Sequence, residues 1–127
     1  MKLRLQHNSI RFRLRQKEVA RLIETGQIDE TIVFGPKKSD TLTYSIETVD
    51  SALAPHAHFA GNSVTIHVSK AAARHWADGN EVGIEEHQPV SDQHCLHLII
   101  EKDFACLDGT DAQNKDTFPH PLAGTKC

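Results

Sequence analysis

Three histidines, His56, His58 and His67, and four cations, Lys2, Arg4, Arg11 and Arg13, are the side chains whose types and spacing point most directly to chemistry. His56 and His58 alternate about Ala57, so a strand presents both imidazoles on one face. With Gly61-Asn62 as a hairpin turn, His67 falls opposite His56, and Thr65 opposite His58. Three imidazoles on a rigid hairpin suit a transition metal such as zinc and leave one coordination position open. The plainer alternative is a row of exposed, pH-responsive histidines, and a slip of one residue would turn the row to the other face. A second donor set lies downstream, where Cys95 and His97 alternate with Leu96, Leu98 and Ile100 and are followed by Cys106, His120 and Cys127. None of these has C-x-x-C spacing, and each cysteine also reads as a small buried side chain.

The four cations form a comparable group. With His7-Asn8 as a turn, Arg4 faces Arg11 and Lys2 faces Arg13. Directly opposed like charges are unfavourable in a sheet, so an anion is expected nearby. That anion is either a phosphate-bearing ligand, nucleic acid included, or the protein's own acidic half. The acidic aspartates of the C-terminal tail, Asp108, Asp111 and Asp116, are candidates for the second role.

Catalytic signatures are missing: the sequence has no G-x-S-x-G, P-loop, G-x-G-x-x-G or H-E-x-x-H. The chain therefore reads as a binding or regulatory module rather than an enzyme, with an anion or nucleic acid at Lys2, Arg4, Arg11 and Arg13 as its leading ligand and a transition metal at the histidines or the Cys/His set as the alternative. The metal reading is the main route to a catalytic or sensing role.

These residues need elements to hold them. Leu3 and Leu5 alternate with Lys2 and Arg4, and Ile10, Phe12 and Leu14 alternate with Arg11 and Arg13, which is a hairpin. From Gln16 the period changes, with Val19, Leu22 and Ile23 at helical spacing and Gly26 placed to end the helix. Strands follow at about 28–34 and 41–48, separated by the turn-forming GPKKSD segment. The unit is β-β-α-β-β.

The chain then repeats itself. NSIRFRLRQKEVARLIETGQI, Asn8 to Ile28, is echoed 54 positions later by NSVTIHVSKAAARHWADGNEV, Asn62 to Val82. The offset takes Leu5 to Phe59, Phe12 to Ile66, Leu22 to Trp76, Ile28 to Val82 and Ile46 to Ile100. It also converts Lys2, Arg4 and Arg13 into His56, His58 and His67. The expected fold is strand-rich α+β: two β-β-α-β-β repeats, about 2–48 and 56–102, closing a small pseudo-two-fold β-barrel. That barrel forms a single domain over residues 1–106, with an irregular C-terminal tail, 107–127, docked on it. Because the repeat supplies an internal pseudo-dimer, a monomer is consistent with this plan.

GNSVTIHVSKAAARHWADGNEV resembles the strand–helix–strand core of the swapped-hairpin barrels of the AbrB and antitoxin type. That resemblance implies DNA binding, although Ser69 stands where such units usually carry a proline. The whole chain, from MKLRLQHNSIRFRLRQKEVARLIETG to EKDFACLDGT, is also similar to a family of small bacterial proteins of unassigned function.

Composition sets the remaining bounds. A length of 127 residues allows one domain with a real core. Its longest apolar runs, such as LHLII, fall far short of the ~20 residues of a bilayer span. Three cysteines are too few and odd in number for a disulfide framework, so a cytoplasmic location is expected. The net charge of −3 hides an uneven distribution: seven cations against one acid from Met1 to Arg21, and five against ten acids from Pro55 onward.

Overall fold

Chain periodicity sets the element order: β1 (Lys2–Gln6), β2 (Ser9–Leu14), α1 (Gln16–Thr25), β3 (Gln27–Val33) and β4 (Thr41–Val49), then β5 (His56–Ala60), β6 (Ser63–Ser69), α2 (Lys70–Asp78), β7 (Gly83–Pro89) and β8 (Cys95–Lys102). The computed structural model describes residues 1–104 and 116–119. Among these, no helix is long and apolar enough to cross a membrane.

The strands form two four-stranded sheets rather than a closed barrel. The first runs β1-β2-β8-β7 and the second β3-β4-β6-β5, so each combines one hairpin from either half of the chain. Antiparallel hairpins meet through parallel central pairs, β2 with β8 and β4 with β6. Closure fails because side chains and a terminal amine, not ladders, join the sheet edges. At one side the Gln88 amide both accepts from Ala57 N–H, at 2.6 Å, and donates to the Ala57 carbonyl, at 3.1 Å. At the other, the Met1 ammonium binds Glu18 and Glu30.

The inner faces of both sheets share one apolar cluster with the helices, including Phe12, Leu14, Ile46, Ile66, Val68, Trp76 and Ile100. Phe12 and Tyr44 meet across it with ring centroids 6.0 Å apart. Pairings in the halves correspond at an offset of 54: Ser9↔His97 beside Ser63↔Thr43, and Arg4↔Arg11 beside His58↔Thr65. The offset does not hold for β7. Ile28 pairs with Ile46, whereas Ile84 pairs with Ile100, so Ile84 takes the place expected of Val82. Strand β7 begins two residues later than the offset from β3 would place it, and Val82 is exposed.

Helix α1 follows Arg15, whose own side chain forms no cap, although Glu18 Oε1 accepts from the Arg15 N–H at 2.9 Å. A distant residue supplies what the local sequence lacks: the Asp116 carbonyl accepts from Gln16 N–H at 3.1 Å, and its carboxylate from Lys17 N–H at 3.3 Å. Helix α2 has its own cap, Ser69 Oγ accepting from Ala72 N–H at 3.1 Å. The Gln16 amide donates to the Thr117 carbonyl, and Phe118 N–H donates to the Asp103 carbonyl. This part of the tail therefore sits at the start of α1, not over the cationic hairpin as expected for Asp116. Asp108 and Asp111 lie outside the described residues.

Tyr44 links the core to the β3 edge. Its hydroxyl donates to Glu30 Oε2 at 2.7 Å, and its pKa is pushed up to about 12. Burial is the main cause, followed by the hydrogen bond to Glu30 and the negative charges of Glu30 and Glu18. The folded state thus holds this proton more tightly than the unfolded chain, so its stability contribution is present below pH ~10 and lost as pH rises toward ~12. Tyr44 is the only tyrosine, so ultraviolet tyrosinate absorbance reads it directly. Its midpoint should lie near 12 and move down in Glu30→Gln; an unchanged midpoint in that variant would remove Glu30 from the explanation.

Candidate metal centre on the first sheet

The outer face of the first sheet gathers most of the chemistry. Leu98 and Ile100 of β8 point into the core, so His97, Ile99 and Glu101 point outward. The register places Glu85 beside Ile99 and His87 directly opposite His97 on β7. The His87 and His97 rings stack with centroids 4.3 Å apart and planes 11° from parallel. Glu85 Oε1 lies 2.5 Å from His97 Nε2 and 3.9 Å from His87 Nε2. One ligand atom from each of Glu85, His87 and His97 lies within 4.8 Å of the others, the only such group among the described residues. A tetrahedral ion with ligands at ~2.1 Å needs ligand atoms about 3.4 Å apart. The separations of 2.5 and 3.9 Å lie on either side of that spacing, so binding an ion would require these partly exposed side chains to reorient.

His97 belongs to the donor set expected from the sequence, whereas Glu85 and His87 were missed. Cys95, of the same set, is exposed and paired with Pro89 at the end of the hairpin. Cys106, His120 and Cys127 lie outside the described residues. An available signal was the alternation of Glu85 and His87 with Ile84 across a short turn from His97. The offset of 54 hid it, because β7 is the strand that departs from it.

On the second sheet, His56 and His67 are direct cross-strand partners with ring centroids 5.0 Å apart, and His58 sits opposite Thr65. The three share a face but do not converge. His67 Nε2 lies 3.2 Å from Glu47 Oε2, while His56 Nδ1 lies 3.3 Å from the Ala54 carbonyl.

The cations also take their expected register, Lys2↔Arg13 and Arg4↔Arg11. Their neutralising acids come from the end of β8. Glu101 Oε1 accepts from Arg13 Nε at 2.7 Å and has Arg11 Nε at 3.7 Å, while Lys2 Nζ lies 3.0 Å from Asp103 Oδ2. Arg4 is exposed and makes no ion pair among the described residues.

A family of unknown function, DUF7009, matches residues 1–122. The chain belongs to that family. No curated protein and no solved structure matches it, and the expected likeness to swapped-hairpin barrels of the AbrB type is not shown.

Proposed function

We propose that this chain is a transition-metal-binding module whose ligands are Glu85, His87 and His97. The observation that carries the reading is the convergence of two imidazoles and one carboxylate within 4.8 Å on a single antiparallel strand pair. Imidazole favours zinc, copper, nickel and iron, and a carboxylate completes a donor set of the kind that holds zinc with a position left open. Cross-strand pairing fixes the two histidines relative to each other, which limits the ordering cost of binding.

Calorimetric titration of the purified chain with Zn²⁺ should show one equivalent bound per chain. His87→Ala and His97→Ala should each weaken it by about tenfold or more. His56→Ala should leave it unchanged. One-site binding that survives in the His87→Ala/His97→Ala double variant would overturn the assignment.

The two halves also read as copies of one ancestral unit. Support comes from their β-β-α-β-β order and from ladder pairings that correspond at an offset of 54. On this view the copies kept their inward apolar positions, while their outward faces diverged. Backbone pairing would then have been conserved as the scaffold, leaving outward positions free to acquire ligands.

A further inference from the structure

The candidate metal site and the cationic hairpin share one surface. Across the outer face of the first sheet, one row reads Arg4, Arg11, Ile99, Glu85, and the adjacent row reads Gln6, Ser9, His97, His87. Two strand spacings, about 10 Å, separate the Arg11 and Glu85 backbones. Between them stands Ile99, a half-buried apolar side chain over which an arginine can lie.

Resting on the metal reading above, we infer that the bound metal and the guanidinium groups of Arg4 and Arg11 together bind a phosphate group. The ion would take one phosphate oxygen in its open position, and the two arginines would hold the others. Lys2 and Arg13 are already engaged, Lys2 with Asp103 at 3.0 Å and Arg13 with Glu101 at 2.7 Å. Arg11 stands farther from the same Glu101 oxygen, at 3.7 Å, and Arg4 has no acidic partner among the described residues. These are the two cations on the row that leads to Glu85.

Electrostatics make the two halves of the site interdependent. Without the ion, the Glu85 carboxylate repels an anion placed in this row. A divalent cation reverses the sign at that end, and guanidinium then offers planar donors suited to phosphate. Metal and phosphate binding are therefore coupled and reciprocal.

Cobalt makes both events visible. Co²⁺ should give a visible d–d spectrum on binding the full-length chain, and phenyl phosphate should then perturb that spectrum saturably. Arg4→Gln/Arg11→Gln should keep the Co²⁺ spectrum but bind phenyl phosphate about tenfold more weakly or worse. Oligothymidylate, which offers chiefly diester phosphates, separates the sources. Preference for phenyl phosphate assigns the site to terminal phosphates, and preference for the oligonucleotide assigns it to a nucleic-acid backbone. A Co²⁺ spectrum untouched by either ligand, or equal phosphate affinity in the arginine variant, would overturn the proposal while sparing the metal site. Failure of Co²⁺ itself to bind would remove both.

Discussion

Trp76→Ala should lower the unfolding free energy by about 3–5 kcal/mol, a large share of the ~5–15 kcal/mol typical of a domain. Trp76 is fully buried and is the largest side chain in the core, with Ala73 and Ala77 near it on α2. Small neighbours on its own helix have little reach to fill the space it would vacate. Its indole N–H also donates to the Val82 carbonyl at 3.1 Å, just before β7 begins. Trp76→Phe separates the two effects. It keeps most of the ring volume, and the Val82 carbonyl retains the Lys102 N–H at 3.0 Å, so the cost should fall to about 1–2 kcal/mol. Urea unfolding followed by far-ultraviolet circular dichroism measures both variants without the tryptophan signal. A loss below about 1 kcal/mol in the alanine variant would mean that the core closes over the gap. Because Trp76 tethers the segment leading into β7, the alanine variant should also loosen the strand that carries Glu85 and His87.

What the sequence made legible was local. Turn dipeptides fixed the β1–β2 and β5–β6 registers, so Lys2↔Arg13, Arg4↔Arg11 and His56↔His67 follow from hairpin arithmetic alone. Helical spacing from Val19 to Ile23, with Gly26 at φ 84°, likewise locates α1 and its end. The parallel pairings of β2 with β8 and β4 with β6 were not legible. They join strands far apart in sequence, and alternation says which face is buried, not which strand lies alongside. The expected barrel failed for the same reason. Nothing in the pattern of Gln88 or Met1 announces that they link sheet edges in place of a ladder.

The candidate site shows the same division. Seven-residue β7, GIEEHQP, is polar enough to resemble a loop, and its two-residue shift relative to β3 defeats the offset that organises the other strands. Once β7 is paired with β8, a side chain from each of two strands meets at His87 and His97. The sequence identified the donor residue types but missed the pairing that brings them together. Nor does anything in the local sequence of α1 show that Asp116, a hundred positions on, accepts from its first N–H groups.

Lys2→Met should destabilise the fold by about 1–3 kcal/mol, more than an exposed lysine ordinarily would. The reason is its partner. Asp103 is 6% exposed, with its N–H donating to the Leu14 carbonyl and its carbonyl accepting from Phe118 N–H. The backbone is thus held on both sides, and the carboxylate cannot easily swing out to water. Its Oδ2 has Lys2 Nζ at 3.0 Å as a charge partner but no aligned hydrogen-bond donor among the described residues. Removing the ammonium strands a nearly buried carboxylate, which costs more than the pair itself contributes. The lysine side chain is 59% exposed, so solvent screening keeps the loss below that of a fully buried pair. Asp103→Asn should cost less, and the Lys2→Met/Asp103→Asn double variant should recover stability relative to Lys2→Met, because the stranded charge is gone. Strict additivity in that cycle would show that the pair is uncoupled. Coupling would mark Lys2 as a structural cation. Phosphate affinity in the metal-loaded protein should then depend on Arg4 and Arg11 and remain nearly unchanged in the Lys2→Met/Asp103→Asn double variant.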